Sequence, residues 1–452
     1  MGRLFGTDGV RGVANSELTP ELAFNLGKAG AHVLRKENKR PVIVIGKDTR
    51  ISGDMLENAL TAGILAVGGN VIKAGVIPTP AVAFLVKHYH ADAGIVISAS
   101  HNPFEYNGIK FFNREGFKLD DALEEKIEDI IIRDIDPNGH KSGDELGRCL
   151  EAEDDAAEIY CDFLLSTVDM DLSGMKIVLD CANGAAYRTA PSVYEKLGAE
   201  VIAIGCEPDG ININDRIGST HPEKLQQKVV EEKADLGLAF DGDADRLIVV
   251  DEKGMVIDGD KTICICAKML KNAGLLSENK VTATVMSNIG FHKYIKETVG
   301  AEVEVTGVGD RYVLESMRKT GCILGGEQAG HIIFLNHTTT GDGTLSSLQF
   351  VKAVLDSGKK PSQLSAEIEI FPQVLENARV ANENKKAYLT DEEVQEAISA
   401  IEKEMEGNGR VLIRPSGTEP LVRVMIEGSD IERIHKLAVE LSDLISKKFG
   451  EK

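Results

Sequence analysis

Short β-branched runs alternate with helix-period stretches along most of the chain. VIVI (Val42 to Ile45), KIVLD (Lys176 to Asp180) and KVTATV (Lys280 to Val285) are apolar runs of strand length. Each leads through polar or glycine residues into apolar positions at helical spacing. A second short run follows a glycine each time, in GGNVIKAG from Gly68, GAEVIAIG from Gly198 and GAEVEVTG from Gly300. A third closes each unit: ADAGIVISAS from Ala91, ADLGLAFDGD from Ala234 and TGCILGGEQAG from Thr320. The first two closing runs align without a gap, Ala91 and Asp92 on Ala234 and Asp235, Gly94 on Gly237, Ser100 on Asp243. This is an internal repeat. Strand and helix alternation predicts three similar α/β/α units with mixed, largely parallel sheets, whose ligand loops lie beyond the carboxyl ends of the strands. The polar tails of the closing runs are therefore candidate site loops.

After Glu369 the rhythm changes. IFPQVLENARV reads as a strand, Thr390 to about Met405 as a helix, VLIRPSGTEPLVRVMIEG as two strands joined by a turn, and the stretch from Asp430 as a final helix. A C-terminal α+β domain with an antiparallel sheet is expected. The expected boundaries are 1–150, 151–253, 254–368 and 369–452, with the turn-rich DIDPNGHKSGDELG near the first junction and a helix from about Glu153.

Composition narrows the partners. With 51 basic and 72 acidic residues the net charge is −21, which repels nucleic acid and anionic membrane. An anionic substrate then needs a local cluster of cations. No apolar stretch is long enough to span a bilayer and MGRLFGTDGV lacks a signal-peptide core, so the cytoplasm is expected. Seven cysteines, an odd number without a CxxC pair, read as buried reduced thiols.

Three motifs carry chemistry. DGDADR places Asp241, Asp243 and Asp245 at alternate positions after LGLAF, and carboxylates converging on one point call for a hard cation such as Mg²⁺ or Mn²⁺. An EF-hand is excluded because Arg246 stands where that loop needs glycine; a DxD-type phosphatase stays open. RPSGTEP offers Arg414, the hydroxyls of Ser416 and Thr418, and backbone N–H groups around Gly417, with Arg423 on the returning strand: a small anion grip. In GGEQAGH, Glu327 is able to accept from two vicinal sugar hydroxyls. GTDGVRG and GKDTRISG are glycine-bracketed loops bearing Arg11, Lys47 and Arg50, and an Asp48–Arg50 pair would pin the second.

SASHNP is the least ordinary stretch. Pro103 favours the first position of a helix, which makes Asn102 its cap and sets Ser100 and His101 at a positive helix end. His101 is adjacent in sequence, and neighbouring side chains usually diverge, so a hydrolase-type Ser/His pair is disfavoured. A serine that carries a phosphate fits better, with a cation in the equivalent loop of the next repeat and Lys110 of NGIKFF beside it for proton transfer.

Taken together and in order, GTDGVRG, GKDTRISG, ISASHNPFEYNGIKFF, DCANGAA, DGDADR, VGDRYV, GGEQAGH, TTGDG and RPSGTEP resemble the α-D-phosphohexomutase superfamily, within it the bacterial phosphoglucosamine mutase branch. The resemblance spans nearly the whole chain. It implies an isomerase that moves a phosphoryl group between O6 and O1 of glucosamine through a 1,6-bisphosphate, feeding UDP-N-acetylglucosamine and cell-wall precursors. It implies that Ser100 is the phosphoserine and, with Asp241, Asp243 and Asp245, a ligand of one Mg²⁺. Lys110 is the general acid/base, a role that calls for a pKa lowered by nearby cations, and His101, Arg11 and Arg246 stand near it. Glu327 recognises the sugar, and Arg414, Ser416, Gly417, Thr418 and Arg423 bind the substrate phosphate. Glucose or glucosamine 1,6-bisphosphate is the implied activator; the partner is a phosphosugar, with a homodimer and a priming kinase or autophosphorylation left open. The family usually has serine where this chain has Ala329, so one sugar-facing hydroxyl is absent. A phosphomannomutase or phosphoglucomutase is the alternative in the same superfamily, and a phosphatase or a non-catalytic phosphosugar sensor lies further off.

Overall fold

In a computed structural model of the chain, the described residues are all of 1–452 except 1–3, 7, 36–39, 136–140, 153, 406, 417–418 and 451–452. The region of the expected helix near Glu153 begins its helix at Ala156, capped by the Asp155 carboxylate on the Ala157 N–H.

The first sheet runs in the order Val10–Val13, Tyr106–Asn113, Ala93–Ile97, Val42–Lys47, Asn70–Val76, Cys149–Leu150. Its first two pairings are antiparallel and the remaining three parallel. Strand Ala93–Ile97 is buried throughout because helices lie on both faces: Pro20–Leu34 and Gly53–Ala66 on one, Thr79–His88 on the other. The second sheet orders Val256–Ile257, Leu247–Asp251, Leu236–Phe240, Lys176–Asp180, Glu200–Ile204, and the third Glu302–Thr306, Lys280–Thr284, Leu324–Gly326, Ile332–Phe334. Parallel pairs again join the first three strands of each unit, and an antiparallel pair adds the returning strand. The second strand of each unit is entered through a left-handed glycine, Gly68, Gly198 or Gly300.

The repeat is physical as well as textual. In the first unit the Asp92 carboxylate accepts from Val42 N–H at 3.1 Å and Asp92 N–H donates to Val42 O at 2.8 Å; in the second, Asp235 ties Lys176 in the same two ways, both at 2.8 Å. A Cβ on Gly94 would meet Val86 and Val82 at 2.6 and 2.9 Å, and one on Gly237 would meet Val229 and Leu225 at 2.6 and 2.8 Å. Both glycines let a helix lie against its strand more closely than alanine allows.

In each of the three units the third strand turns straight back as an antiparallel partner. The candidate site loops are thus hairpin tips: 98–105, 241–246 and 327–331. Sequence alternation alone did not reveal these returns.

Residues Met1–Met286 and Val299–Glu367 form one compact unit; Ser287–Thr298 and Ile368–Lys452 form a second. The second carries the expected antiparallel sheet, ordered Gln373–Arg379, Leu421–Gly428, Gly409–Pro415. Its buried side, Val422, Val424 and Ile426, packs with Leu437, Leu441 and Ile445 of helix Ile431–Phe449 and with Val394 and Ile401 of helix Glu392–Glu404. At about 1.5–3 kcal/mol per fully buried aliphatic side chain, this is the unit's main stabilisation.

All seven cysteines are free thiols, and five are buried; Cys149 on the sheet edge is exposed and Cys206 half-buried, so burial does not hold for every thiol. Among the described residues no helix is long and apolar enough to cross a membrane.

Candidate active site

The helix expected after Pro103 is not formed. Asn102 N–H donates to Ala99 O and Tyr106 N–H to Pro103 O, each at 3.1 Å, which makes two successive turns. The chain then pairs along Ala93–Ile97, Val96 against Lys110 and Ile97 against Ile109. Tertiary pairing of a full strand outcompetes a local cap signal, so no helix end backs Ser100. Instead Ser100 is buried in the left-handed region, φ 53°, a conformation that costs a non-glycine residue about 1–2 kcal/mol. Its N–H donates to Ser98 Oγ at 2.9 Å, and its carbonyl accepts from Arg50 and Asn214, both at 2.9 Å. The expected Asp48–Arg50 pair is present at 2.8 Å.

The second hairpin tip meets the first. Ser100 Oγ donates to Asp241 Oδ2 at 2.6 Å. A Cβ on Gly242 would stand 2.6 Å from Ser100 O, so only glycine admits this approach. Asp241, Asp243 and Asp245 are all buried, each offering an oxygen within 4.8 Å of the others. Asp243 Oδ2 accepts from Thr79 Oγ1 at 2.7 Å and pairs with Lys110 Nζ at 2.8 Å, while Oδ1 of Asp243 and Oδ1 of Asp245 are buried with no hydrogen-bond partner. Burial first, and then the Asp245 and Asp243 charges, push the Asp241 carboxyl well above the usual range. Unpartnered carboxylate oxygens in a buried all-oxygen cluster fit a hard divalent cation.

A ring of charges surrounds the cluster. Lys110 Nζ lies 3.0 Å from Asp8 Oδ2, Lys118 Nζ 2.6 Å from Asp8 Oδ1, and Lys118 also pairs with Asp310. His331 stands between Asp310, 3.7 Å from Nε2, and Asp245, 3.5 Å from Nδ1, and Gly341 N–H donates to its Nε2 at 3.1 Å. Burial would raise Asp245, but His331, Lys110 and Arg246 outweigh it and hold that carboxyl well below its usual range.

The expectation of a lowered Lys110 pKa is corrected here. Burial alone would lower it, yet the Asp243 and Asp8 carboxylates outweigh burial and Lys110 is held as a strongly basic ammonium. His101 moves the opposite way. Burial, then the Arg246 and Arg11 cations, depress it, and its Nδ1 stands 3.4 Å from Ser100 Oγ. The adjacent pair that sequence reasoning disfavoured is thus in contact. Neighbouring groups driven apart in this way are suited to opposite acid and base tasks.

Arg11 is on strand Val10–Val13, paired to Asp8. Arg246 is half-buried; its main-chain N–H donates to Asp241 Oδ1 at 3.2 Å, and its Nε, which makes no hydrogen bond, lies 3.9 Å from Asp245 Oδ1. The third tip packs on the second: Leu247 N–H donates to Gly330 O at 2.9 Å, and Gly330 is left-handed with no room for a Cβ beside Leu247 O. Glu327 accepts from Gly309 N–H at 3.1 Å through one oxygen, and Ala329 is exposed.

In the second compact unit, Arg414 and Arg423 are direct cross-strand partners. Like charges in that register are unfavourable unless an anion joins them. Ser416 Oγ accepts from Glu419 N–H at 3.1 Å, and Lys385 Nζ donates to Ser416 O at 2.9 Å, adding a cation the sequence did not single out. Gly417 and Thr418 lie outside the described residues.

Sequence reasoning also missed Asp8, Lys118, Asp310 and His331. Three lie inside motifs already noted, GTDGVRG, VGDRYV and GGEQAGH; Lys118 had no local signal.

A serine at the hairpin tip of one repeat set against a buried carboxylate triad at the tip of the next defines a phosphosugar mutase of the phosphohexomutase class. The chain belongs to the phosphoglucomutase/phosphomannomutase family, whose alpha/beta/alpha domains I, II and III match residues 2–137, 158–254 and 258–371 and whose C-terminal domain matches 375–444. It is 59% identical over 451 residues to the phosphoglucosamine mutase of a Thermoanaerobacter species and 55% identical to that of Acetivibrio thermocellus, covering 100% of both chains in each case. Among solved structures, a phosphoglucomutase/phosphomannomutase family protein from Burkholderia thailandensis shares the fold with a TM-score of 0.80 at 24% identity over 97% of each chain. Aspergillus fumigatus N-acetylphosphoglucosamine mutase, in complex with GlcNAc-6P and magnesium, does so at 0.69 and 17% over 98% of this chain and 95% of that one.

Proposed function

We propose that the protein interconverts glucosamine 6-phosphate and glucosamine 1-phosphate in the cytoplasm, through a phosphorylated Ser100 and a hexose 1,6-bisphosphate that also primes it. The carrying observation is the 2.6 Å contact of Ser100 Oγ with Asp241, which joins the phosphoryl carrier to the carboxylate cluster. The full-length identity to phosphoglucosamine mutases supports the choice of sugar.

Asp241, Asp243 and Asp245, with an oxygen of phosphorylated Ser100, would hold Mg²⁺. When bound, it supplies positive charge to neutralise the transferring phosphoryl group. The rest is done by the chain. In the half-reaction that loads the enzyme, the Ser100 Oγ–P bond forms as the bond from phosphorus to a sugar oxygen breaks. The Oγ proton passes to His101 Nδ1, 3.4 Å away, and Lys110 Nζ gives its proton to the departing sugar oxygen. The second half reverses both transfers at the other end of the sugar: Lys110, now neutral, accepts the proton of the attacking hydroxyl, and His101 returns one to Oγ. Arg246 and Arg11 add positive charge around the transferring group. Glu327 accepts from sugar hydroxyls, and the turn bearing Arg414, Ser416, Gly417, Thr418 and Arg423 takes the phosphate that is not in transfer.

A coupled assay on glucosamine 6-phosphate with catalytic bisphosphate, run beside glucose and mannose 6-phosphates, tests this. The highest kcat/KM is expected on the glucosamine ester, with one phosphoryl group on the active protein by intact mass. Activity in protein that carries no phosphate sinks the mechanism; a preference for mannose or glucose ester moves the chain to the other branch of the family.

A further inference from the structure

Arg50 is buried in the loop before helix Gly53–Ala66, and every one of its five N–H groups is used. Nε donates to Asp48 Oδ2 at 2.8 Å. Nη1 donates to the carbonyls of Pro103 and Tyr106, the latter at 3.0 Å, and Nη2 to those of Ser100 at 2.9 Å and Asn102 at 2.8 Å. Four of the five acceptors are therefore main-chain oxygens, three in the tip that carries Ser100 and one at Tyr106, where the returning strand begins. They converge on one planar fork only while the tip keeps its present shape.

The same ion pair reaches the other side of Ser100. Asp48 Oδ2 accepts from Ser98 Oγ at 2.6 Å, and Ser98 Oγ in turn accepts the Ser100 N–H at 2.9 Å. Asp48 is itself fixed, its N–H donating to Ile97 O at 3.0 Å. Both peptide groups of the left-handed Ser100 thus lead back to Asp48 and Arg50.

The aspartate tip shows that folding alone does not require such a clamp. Ala244 is also left-handed, φ 57°, yet its N–H donates to Asp241 O and its carbonyl accepts from Gly343 N–H, both through main chain only. What distinguishes the serine tip is the need to aim one side chain at three carboxylates that repel the group it carries.

We propose that Arg50 is a positioning residue for phosphoryl transfer: with Asp48 and Ser98 it holds the Ser100 backbone so that Oγ faces the Asp241 to Asp245 cluster. Arg50 touches no reacting atom. Lysine cannot replace it, because one ammonium with three donors cannot span carbonyls gathered by a planar fork with five. The proposal rests on the reading of Ser100 as phosphoryl carrier, but not on which sugar is used.

The test compares wild type with Arg50→Lys, Arg50→Ala and Arg50→Ala supplied with sub-denaturing guanidinium ion. Three readouts are taken: thermal unfolding, kcat and KM on glucosamine 6-phosphate, and the rate at which glucose 1,6-bisphosphate phosphorylates Ser100, followed by intact mass. Per folded molecule, kcat and the phosphorylation rate are expected to fall about 100-fold, the scale of a small misplacement of a reacting atom. KM should stay within about threefold, since no substrate contact is lost. Guanidinium should recover part of the kcat of Arg50→Ala. Folded Arg50→Lys with kcat and phosphorylation rate within about threefold of wild type overturns the proposal. So does a loss that equals the unfolded fraction and is not rescued. If both Arg50 variants fail to fold, Ser98→Ala decides: about tenfold lower kcat at unchanged KM is expected, and unchanged kcat overturns. Wild type that phosphorylates Ser100 but does not isomerise the glucosamine ester sinks the sugar assignment alone and leaves this test intact.

Discussion

Residues 98–105 and 241–246 leave matching strands at matching positions, under the same aspartate tie and the same packed glycine. Beyond those shared features they part. The serine tip is gripped from behind by the side chain of Arg50. The left-handed residue of the aspartate tip, Ala244, is held by main chain alone, through Asp241 and through Gly343 at the start of helix Gly343–Ser357, and that helix is capped by Asp342, a carboxyl that titrates. Sequence identity between repeats reports the scaffold, while the difference in support reports which tip must point a single atom.

Removing that atom has the largest expected effect. Ser100→Ala should lower mutase turnover at least about 10⁴-fold, as loss of a nucleophile does elsewhere, while calorimetry still detects Mg²⁺ at the aspartate tip, bound more weakly for want of the Ser100 ligand. If Mg²⁺ binding disappears entirely, the three aspartates do not form the main part of the cation site. Asp243→Asn attacks the other side. It takes one charge from the cluster and one partner from Lys110, and kcat should fall about 10²–10³-fold with weaker Mg²⁺ affinity. Wild-type turnover in this variant would break the claim that both tips serve one reaction.

Support of the aspartate tip should also depend on pH. Burial raises the Asp342 carboxyl to about 6 despite bonds from Leu345 N–H and Tyr160 OH. Since the folded value lies above the unfolded one, its stabilising contribution is complete below about pH 4 and is lost as pH rises through about 6, a change of about 2–3 kcal/mol. Denaturant titrations of Asp342→Asn across that window should lose this part of the slope. Asp180, which burial also raises to about 6, keeps its own part. An unchanged slope would refute the assignment.

The smallest effect concerns the shared scaffold. Gly94→Ala and Gly237→Ala each press a Cβ onto two aliphatic side chains, and each should cost about 1–3 kcal/mol in chemical denaturation. Unequal costs, differing by more than about 1 kcal/mol, would show that the repeats pack less alike than their geometry indicates.

The repeat was legible because packing demands left residues behind: Asp92 and Asp235 tie strands, and Gly94 and Gly237 seat helices. Ser100 and the three aspartates were legible because local spacing encodes them. The helix after Pro103 was misread because its cap signal is local, whereas the pairing of Val96 with Lys110 is decided by a strand that the cap signal does not see. The ammonium state of Lys110 was also out of reach, since Asp8 lies far away in the chain. Arg50 carried no more signal than any arginine in a glycine-bracketed loop; its meaning lies in four carbonyls, and carbonyls have no letter in a sequence.

The aspartate ties at Asp92 and Asp235 lie at the opposite end of their strands from the tips. Strand alignment is therefore settled before the chain reaches the chemistry, and the tip is free to diverge without disturbing the sheet. The same scaffold thus ends in a serine in one copy and in carboxylates in the next, and the division between the two is made without any change of fold.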